Sequence, residues 1–303
     1  MAGRKKTHLE LSAERPDWLK VRLRDQSTVD DVTGMMRELR LTTVCEEARC
    51  PNLFECWADR TATFMILGDT CTRRCRFCSV KTGLPDAVYW DEPRRVADSV
   101  AQMKLAPVVI TMVNRDDLED GGAELMAQTV QAIRQAAPDC KVEVLSSDMM
   151  GRRQSIEQML AARPEIMSHN IETVERLTPV VRSRSDYHRS LAFLEMSRAI
   201  DPAIVTKSSL MLGLGESREE VEQSLEDLRS VGVSLCNLGQ YLQPTPNHLP
   251  VQRYWKPEEF QTLKELALAK GFIHVESGPM VRSSYHAGAQ YESYRGKLEA
   301  HIK

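Results

Sequence analysis

Cys71, Cys75 and Cys78 stand in the stretch GDTCTRRCRFCSV (68–80), a CxxxCxxC spacing with no fourth cysteine close behind it. A structural zinc site closes with four Cys or His ligands. Three thiolates on a short loop can instead hold three irons of a 4Fe-4S cluster and leave the fourth iron open to another ligand. The alternative is a zinc loop that finds its fourth ligand elsewhere, for instance His169, although the second CxxC or HxxxH that zinc knuckles pair with is missing. Phe77, directly before the third cysteine, is placed to shield one side of such a cluster, and Arg73, Arg74 and Arg76 to offset its negative charge.

A second triplet precedes it. Cys45, Cys50 and Cys56 form CxxxxCxxxxxC, while Cys140 and Cys236 stand alone and read as buried small hydrophobes. Eight cysteines in 303 residues do not read as a disulfide framework, because so long a chain needs no staples and its basic start leads into no apolar stretch of the export-signal kind. No run of eighteen apolar residues suggests a membrane span. The formal charge of -3, from 40 Lys+Arg against 43 Asp+Glu, gives no global basic field for nucleic acid. A cytoplasmic protein with no nucleic-acid and no membrane partner is the expectation.

The elements that must position these residues follow from hydrophobic periodicity. Residues 1–60 read as an extension with one helix at 31–41. From residue 61 strands and helices alternate: strands at 61–68, 107–113, 141–147, 165–172, 204–215 and 234–242, helices between and after them, and a last extended piece, FIHVESG (272–278). Such alternation implies parallel pairing and an α/β architecture. The first strand ends in LGDTC rather than a GxGxxG turn, and the GxG of MLGLGE (211–216) follows a late strand, so a dinucleotide fold is poorly supported. Polar residues gather at the strand ends, among them Cys71, Asn114, Ser146, His169, Glu172 and Gln240, where barrel enzymes build their sites.

CxxxCxxC on the loop after the first strand of a β/α array resembles the signature of the radical S-adenosylmethionine superfamily. The upstream CEEARCPNLFECW (45–57) narrows the resemblance to the lipoyl synthase family. It continues through NRDDLEDGGA (114–123), HNIETVERL (169–177), TKSSLMLGLGE (206–216), GQYLQPTPNHLPVQRYWKPEEF (239–260) and SGPMVRSSYHA (277–287). The fold it implies is a partial (β/α)6-type TIM barrel at 61–275, between an N-terminal extension (1–60) and a C-terminal extension (276–303) that together hold an auxiliary cluster.

The resemblance implies two 4Fe-4S clusters and S-adenosylmethionine as cofactors. Cys71, Cys75 and Cys78 hold the cluster that cleaves the cofactor; Cys45, Cys50, Cys56 and a serine of RSSY (282–285), Ser284 in preference to Ser283, hold the auxiliary one. Phe77, Glu172 and Lys207 are the expected cofactor contacts, and the EDGG stretch (119–122) stands where the superfamily binds the methionine amino group, as would an ordinary turn before a helix. Arg282 anchors either the RSSY turn or the substrate. Asn114 and Ser209 depart from the Asp and Gly expected there.

The implied reaction inserts sulfur at C6 and C8 of an octanoyl chain amide-linked to a carrier-protein lysine, with the auxiliary cluster as sulfur source. Those carbons carry no acidic proton, so radical chemistry, not a general base, is required, and no side chain is assigned as catalytic. Implied partners are octanoylated lipoyl carrier domains (the 2-oxo acid dehydrogenase acyltransferase and the glycine cleavage H protein), an electron donor such as flavodoxin or ferredoxin, and an iron–sulfur carrier for cluster repair. Rival readings are a biotin synthase-like or methylthiotransferase-like sulfur-inserting enzyme, and a zinc-ribbon interaction module.

Overall fold

The computed structural model describes residues 16–19, 30, 33–34, 36–39, 41–48, 50–58 and 63–302. Its elements in chain order are β1 (Thr42–Thr43), α1 (Val44–Glu47), α2 (Leu53–Ala58), β2 (Thr63–Ile66), β3 (Thr70–Cys71), β4 (Lys81–Thr82), α3 (Glu92–Met103), β5 (Pro107–Met112), α4 (Ala123–Ala136) and β6 (Lys141–Leu145). There follow α5 (Arg153–Ala161), β7 (Ile166–Ser168), α6 (Thr178–Val181), α7 (Tyr187–Ile200), β8 (Val205–Leu212), α8 (Arg218–Ser230), β9 (Leu235–Gln240), α9 (Pro257–Ala269), β10 (His274–Gly278) and α10 (Ala287–Ile302).

The main sheet is 8-stranded, in the order β1-β2-β5-β6-β7-β8-β9-β10. All neighbours run parallel except β1, which lies antiparallel on β2. Spatial order equal to sequence order, with a helix between successive strands from β2 to β10, is the winding of a (β/α) barrel that has not closed. The strands are nearly continuous apolar runs because both faces are covered: β2 reads TFMI and every residue is buried. Local signals fix the helix ends. Pro93 opens α3, and α8 starts in a capping box in which Ser217 accepts from the Glu220 N–H and the Glu220 carboxylate accepts from the Ser217 N–H.

Within the expected N-terminal helix, residues 33–34 and 36–38 are helical, and 31, 32, 35 and 40 lie outside the described residues. Among the described residues of the extension, β1 joins the barrel sheet, and α1 and α2 carry Cys45 and Cys56, elements that its sequence did not suggest. The strand expected at 165–172 ends at Ser168, after which the chain is irregular and keeps to β8 through His169 N on the Lys207 oxygen, Ile171 N on Ser208 Oγ and an isolated bridge from Glu172 to Leu210. The expected boundary at 275/276 falls inside β10. Helix α10 lies under the barrel, where Tyr291 and Tyr294 pack on Ile166, Val205 and Leu235 at the starts of β7, β8 and β9. Among the described residues no helix is long and apolar enough to cross a membrane.

Candidate active site

At the C-terminal ends of the barrel strands lies a cavity of about 410 Å³. Its wall includes Cys71, Cys75 and Cys78, and also Cys45, Cys50, Ser283 and Ser284. The two thiol groupings and the late serines therefore face one chamber, although more than two hundred positions separate Cys45 from Ser284. Cys56 is not on the wall. It sits half-buried on α2, close enough to Tyr285 that its charge, after burial and Glu55, helps raise the Tyr285 pKa to about 12. Among the described residues no three Cys, His, Asp or Glu side chains converge on a single ion. A cubane takes one thiolate per iron and needs no such convergence.

The 71–82 loop is held by its backbone and by one arginine. Cys71 Sγ accepts from the N–H groups of Arg73 and Asn114, at 3.4 and 3.3 Å. His248 Nε2 lies 2.9 Å from the Cys78 carbonyl oxygen, so this histidine braces the loop. Arg73, 3% exposed, is engaged mainly by carboxylates, and its charge reaches Cys71 and Cys75 as a smaller pull against burial. Its guanidinium forks onto Asp116 (2.7 and 2.8 Å) and Asp148 (2.9 and 2.6 Å), so its charge is already matched. Arg74 and Arg76 are exposed.

Two further cations that act on the thiols come from elsewhere in the chain. Burial pushes Cys75 up to about 11, and Arg182 pulls against that; burial likewise raises Cys50, with Arg282 opposing it. Burial raises Cys45 to about 11, Cys78 to about 12, and Cys71 as well. Arg182 donates to the Ile171 carbonyl and to Ser190 Oγ, and its buried Nε has no partner. Neither arginine carries a motif signal strong enough to assign it from sequence, although Arg282 opens RSSY.

Of the expected cofactor contacts, Phe77 and Glu172 line the cavity. Phe77 packs with Val181, Leu214 and Tyr241. Glu172 holds a positive φ of 65°, accepts from Asn170 Nδ2 at 3.0 Å, and has its pKa raised by burial against the pull of Arg182. A strained backbone at a cavity wall is the kind of position that function maintains. Lys207 is not on the wall. Two residues before the cavity-lining Ser209, it is fully buried with Nζ 3.0 Å from Glu143 Oε2, and Ser168 donates to the other carboxylate oxygen at 2.7 Å. That buried ion pair holds Nζ on Glu143, away from the cavity wall.

The EDGG stretch forms the turn that opens α4: Asp120 accepts from Gly122 N and Glu124 N, and a Cβ on Gly122, at φ +93°, would meet Leu67 Cδ1 at 2.3 Å. Cys140 and Cys236 are buried, as small hydrophobes are. His286 is exposed and stacks on Tyr285 at 3.8 Å.

A parallel barrel with three cysteines on the loop after its first parallel strand is the framework of radical S-adenosylmethionine enzymes. The "Radical SAM superfamily" profile matches residues 65–228. Solved structures of similar fold include methylornithine synthase (TM-score 0.53, 11% identity, 92% of this chain and 90% of that one). The FeFe-hydrogenase maturase of Carboxydothermus hydrogenoformans is also similar (TM-score 0.58, 12% identity, 88% of this chain and 69% of that one). Much nearer in sequence is the lipoyl synthase of Shouchella clausii, 55% identical over 97% of this chain and 96% of its own. That of Halalkalibacterium halodurans is 56% identical over 94% and 95%. The chain belongs to the lipoyl synthase family.

Two 4Fe-4S clusters and S-adenosylmethionine are the cofactors of that family. The cavity fits them on three counts. Its buried thiols resist ionisation unless a cation is bound to them. Arg182 and Arg282 bring positive charge to the two thiol groupings. Asn170 Oδ1, Ser209 Oγ and Asn237 Oδ1 are buried on the wall without a partner, which polar ligand groups would relieve.

Proposed function

We propose that this enzyme completes lipoyl groups in place, inserting sulfur at C6 and C8 of an octanoyl chain carried on the lysine of a lipoyl carrier domain. The residues given to the first cluster are Cys71, Cys75 and Cys78, and those given to the auxiliary cluster are Cys45, Cys50, Cys56 and Ser284. The observation that supports this reading most is the shared chamber: five of those six thiols and both serines of RSSY line the same cavity. When bound, the clusters and S-adenosylmethionine supply the radical that takes hydrogen from unactivated carbon and the sulfur that replaces it.

The chain's own residues bind, orient and exclude. Asn114 and Arg73 hold Cys71 by their backbone N–H groups, and His248 braces Cys78. Phe77, Leu210, Met211 and Tyr241 give the chamber apolar walls that suit an alkyl chain and keep water from a reactive carbon centre. Glu172, Asn170 and Ser209 stand on the side of the first triplet as polar contacts for the cofactor. The barrel at 61–275 serves the first cluster, and the segments 1–60 and 276–303 the auxiliary one. The 2-oxo acid dehydrogenase acyltransferase and the glycine cleavage H protein are the carriers proposed, flavodoxin or ferredoxin the reductant, an iron–sulfur carrier the repair partner, and the cytoplasm the compartment.

The test incubates anaerobically reconstituted protein with S-adenosylmethionine, a strong reductant and an octanoyl-lysyl peptide, followed by mass spectrometry. The expected product is the dithiol peptide, at most one per chain. Cys45→Ala, Cys50→Ala and Cys56→Ala are expected to make none while still cleaving the cofactor. Dithiol from any of those variants overturns the donor assignment.

A further inference from the structure

The segment between β10 and α10 carries the serines, yet within it the backbone bonds only through short turns, such as Tyr285 N to Arg282 O at 3.1 Å. Three of its carbonyls are taken by two asparagine side chains from distant parts of the chain. Asn52, two residues after Cys50 and 2% exposed, donates Nδ2 to the Met280 oxygen at 2.6 Å. Asn237, fully buried on β9, donates Nδ2 to the oxygens of both Arg282 and Ser283, each at 2.9 Å. Two carbonyls on one side fix the orientation of that amide.

Two residues on along β9, and so on the same face, Gly239 lies directly beneath the segment. A Cβ there would stand 2.1 Å from the Val281 oxygen. The glycine is required by close approach: a side chain would push the segment off β9. A carboxamide suits the task because its two N–H donors bridge two carbonyls without adding charge, which a lysine would add and an isosteric aspartate would reverse.

We propose that Asn52 and Asn237 are positioning residues: a two-amide clamp, with Gly239 as its floor, holds the 280–284 segment against β9 so that the Ser284 hydroxyl reaches the cluster bound by Cys45, Cys50 and Cys56. The clamp rests on the ligand set proposed above. A serine oxygen is a harder and poorer ligand for such iron than thiolate. The order of the loop that presents it must therefore come from protein contacts. Asn52 also ties the Cys45–Cys56 stretch directly to the serine segment, so the two halves of the ligand set move as one body.

The test uses the full-length chain with Cys71, Cys75 and Cys78 all changed to Ala, so that iron binds at the auxiliary site alone. After anaerobic reconstitution, a ferrous chelator withdraws one Fe²⁺ per chain without any electron transfer, and its rate is followed optically. Asn237→Ala and Asn52→Ala are expected to speed that loss by about tenfold or more, in line with losing buried hydrogen bonds. Asn237→Asp, equal in shape but facing two carbonyl oxygens with a third oxygen, is expected to exceed Asn237→Ala. Ser284→Ala is expected to speed it as much, and Asn237→Ala added to Ser284→Ala to change nothing further, whereas a generally loosened protein would show additive effects. Parental rates in both asparagine variants beside fast loss in Ser284→Ala overturn the clamp and leave the ligand set standing. Parental rates in Ser284→Ala and Ser283→Ala overturn the ligand set and the clamp with it.

Discussion

Arg73 ties together three loops at the mouth of the barrel. Its guanidinium spans Asp116 and Asp148, and Arg189 takes Asp148 from the other side at 2.8 Å. Burial alone would raise the Asp148 carboxyl, but the hydrogen bonds and charge of Arg73 hold it well below the usual range. Removing the arginine takes the fork from Asp116 and leaves the fully buried Asp148 with only Arg189 and the Met150 N–H. Arg73→Met is therefore expected to lower stability by about 3–5 kcal/mol in urea unfolding of the iron-free chain. Arg74→Ala and Arg76→Ala, exposed on the same loop, should stay within about 0.5 kcal/mol of the parent.

His169 makes a separate prediction. Its ring nitrogens lie 2.9 Å from the Ser146 oxygen and 3.0 Å from Ser190 Oγ, and burial with Arg182 nearby lowers its pKa to about 4. The folded imidazole thus stays neutral where the unfolded one, near 6.5, takes up a proton. Its contribution is whole above about pH 6.5 and is lost as pH falls towards 4, by roughly 3 kcal/mol at most. A stability profile between pH 7 and 4 should flatten over that window in His169→Gln; an unchanged slope counts against a neutral His169.

At the scale of elements, the serine segment is held from both sides. β9 supplies Asn237 and Gly239 beneath it, and α10 follows at once, with Gln290 Nε2 donating to the Tyr285 oxygen at 2.7 Å. The helix is in turn fixed by Tyr291 and Tyr294 against the apolar starts of β7, β8 and β9. Replacing both tyrosines with Ala is expected to lower stability by about 1–3 kcal/mol, since the rings are only partly buried, and to increase binding of an apolar dye at the uncovered barrel floor. For comparison, Ser217→Ala removes one half of the α8 capping box, which is not part of the cavity wall, and should lower stability by about 1 kcal/mol with no change in dye binding.

For the whole molecule, the barrel owns its core whereas the cluster-bearing segments do not. β5 to β9 pair in continuous parallel register, and most of their apolar residues belong to one contiguous cluster. The segments around 41–58, 71–83 and 279–286 have short elements and few ladder hydrogen bonds. Stripping iron with a chelator should therefore raise amide hydrogen exchange in those three segments and leave β5 to β9 protected. Uniform loss of protection would mean that the clusters support the barrel as well.

The sequence by itself determined the alternation of apolar strands and amphipathic helices, and hence a parallel barrel, because periodicity is a local property read in windows of about ten to twenty residues. It also determined the chemistry of the first loop, where three thiols sit within eight positions and need no fold to meet. What only the tertiary structure decided is which distant side chains share a wall. It matched Arg73 with Asp116 and Asp148, turned Lys207 inward onto Glu143, brought Arg182 and Arg282 to the thiols, and set Asn52 and Asn237 on the serine segment. Charge and hydrogen-bond partners depend on distances in space, and residues 228 positions apart, such as Asn52 and Met280, leave no mark of their meeting in the order of the chain.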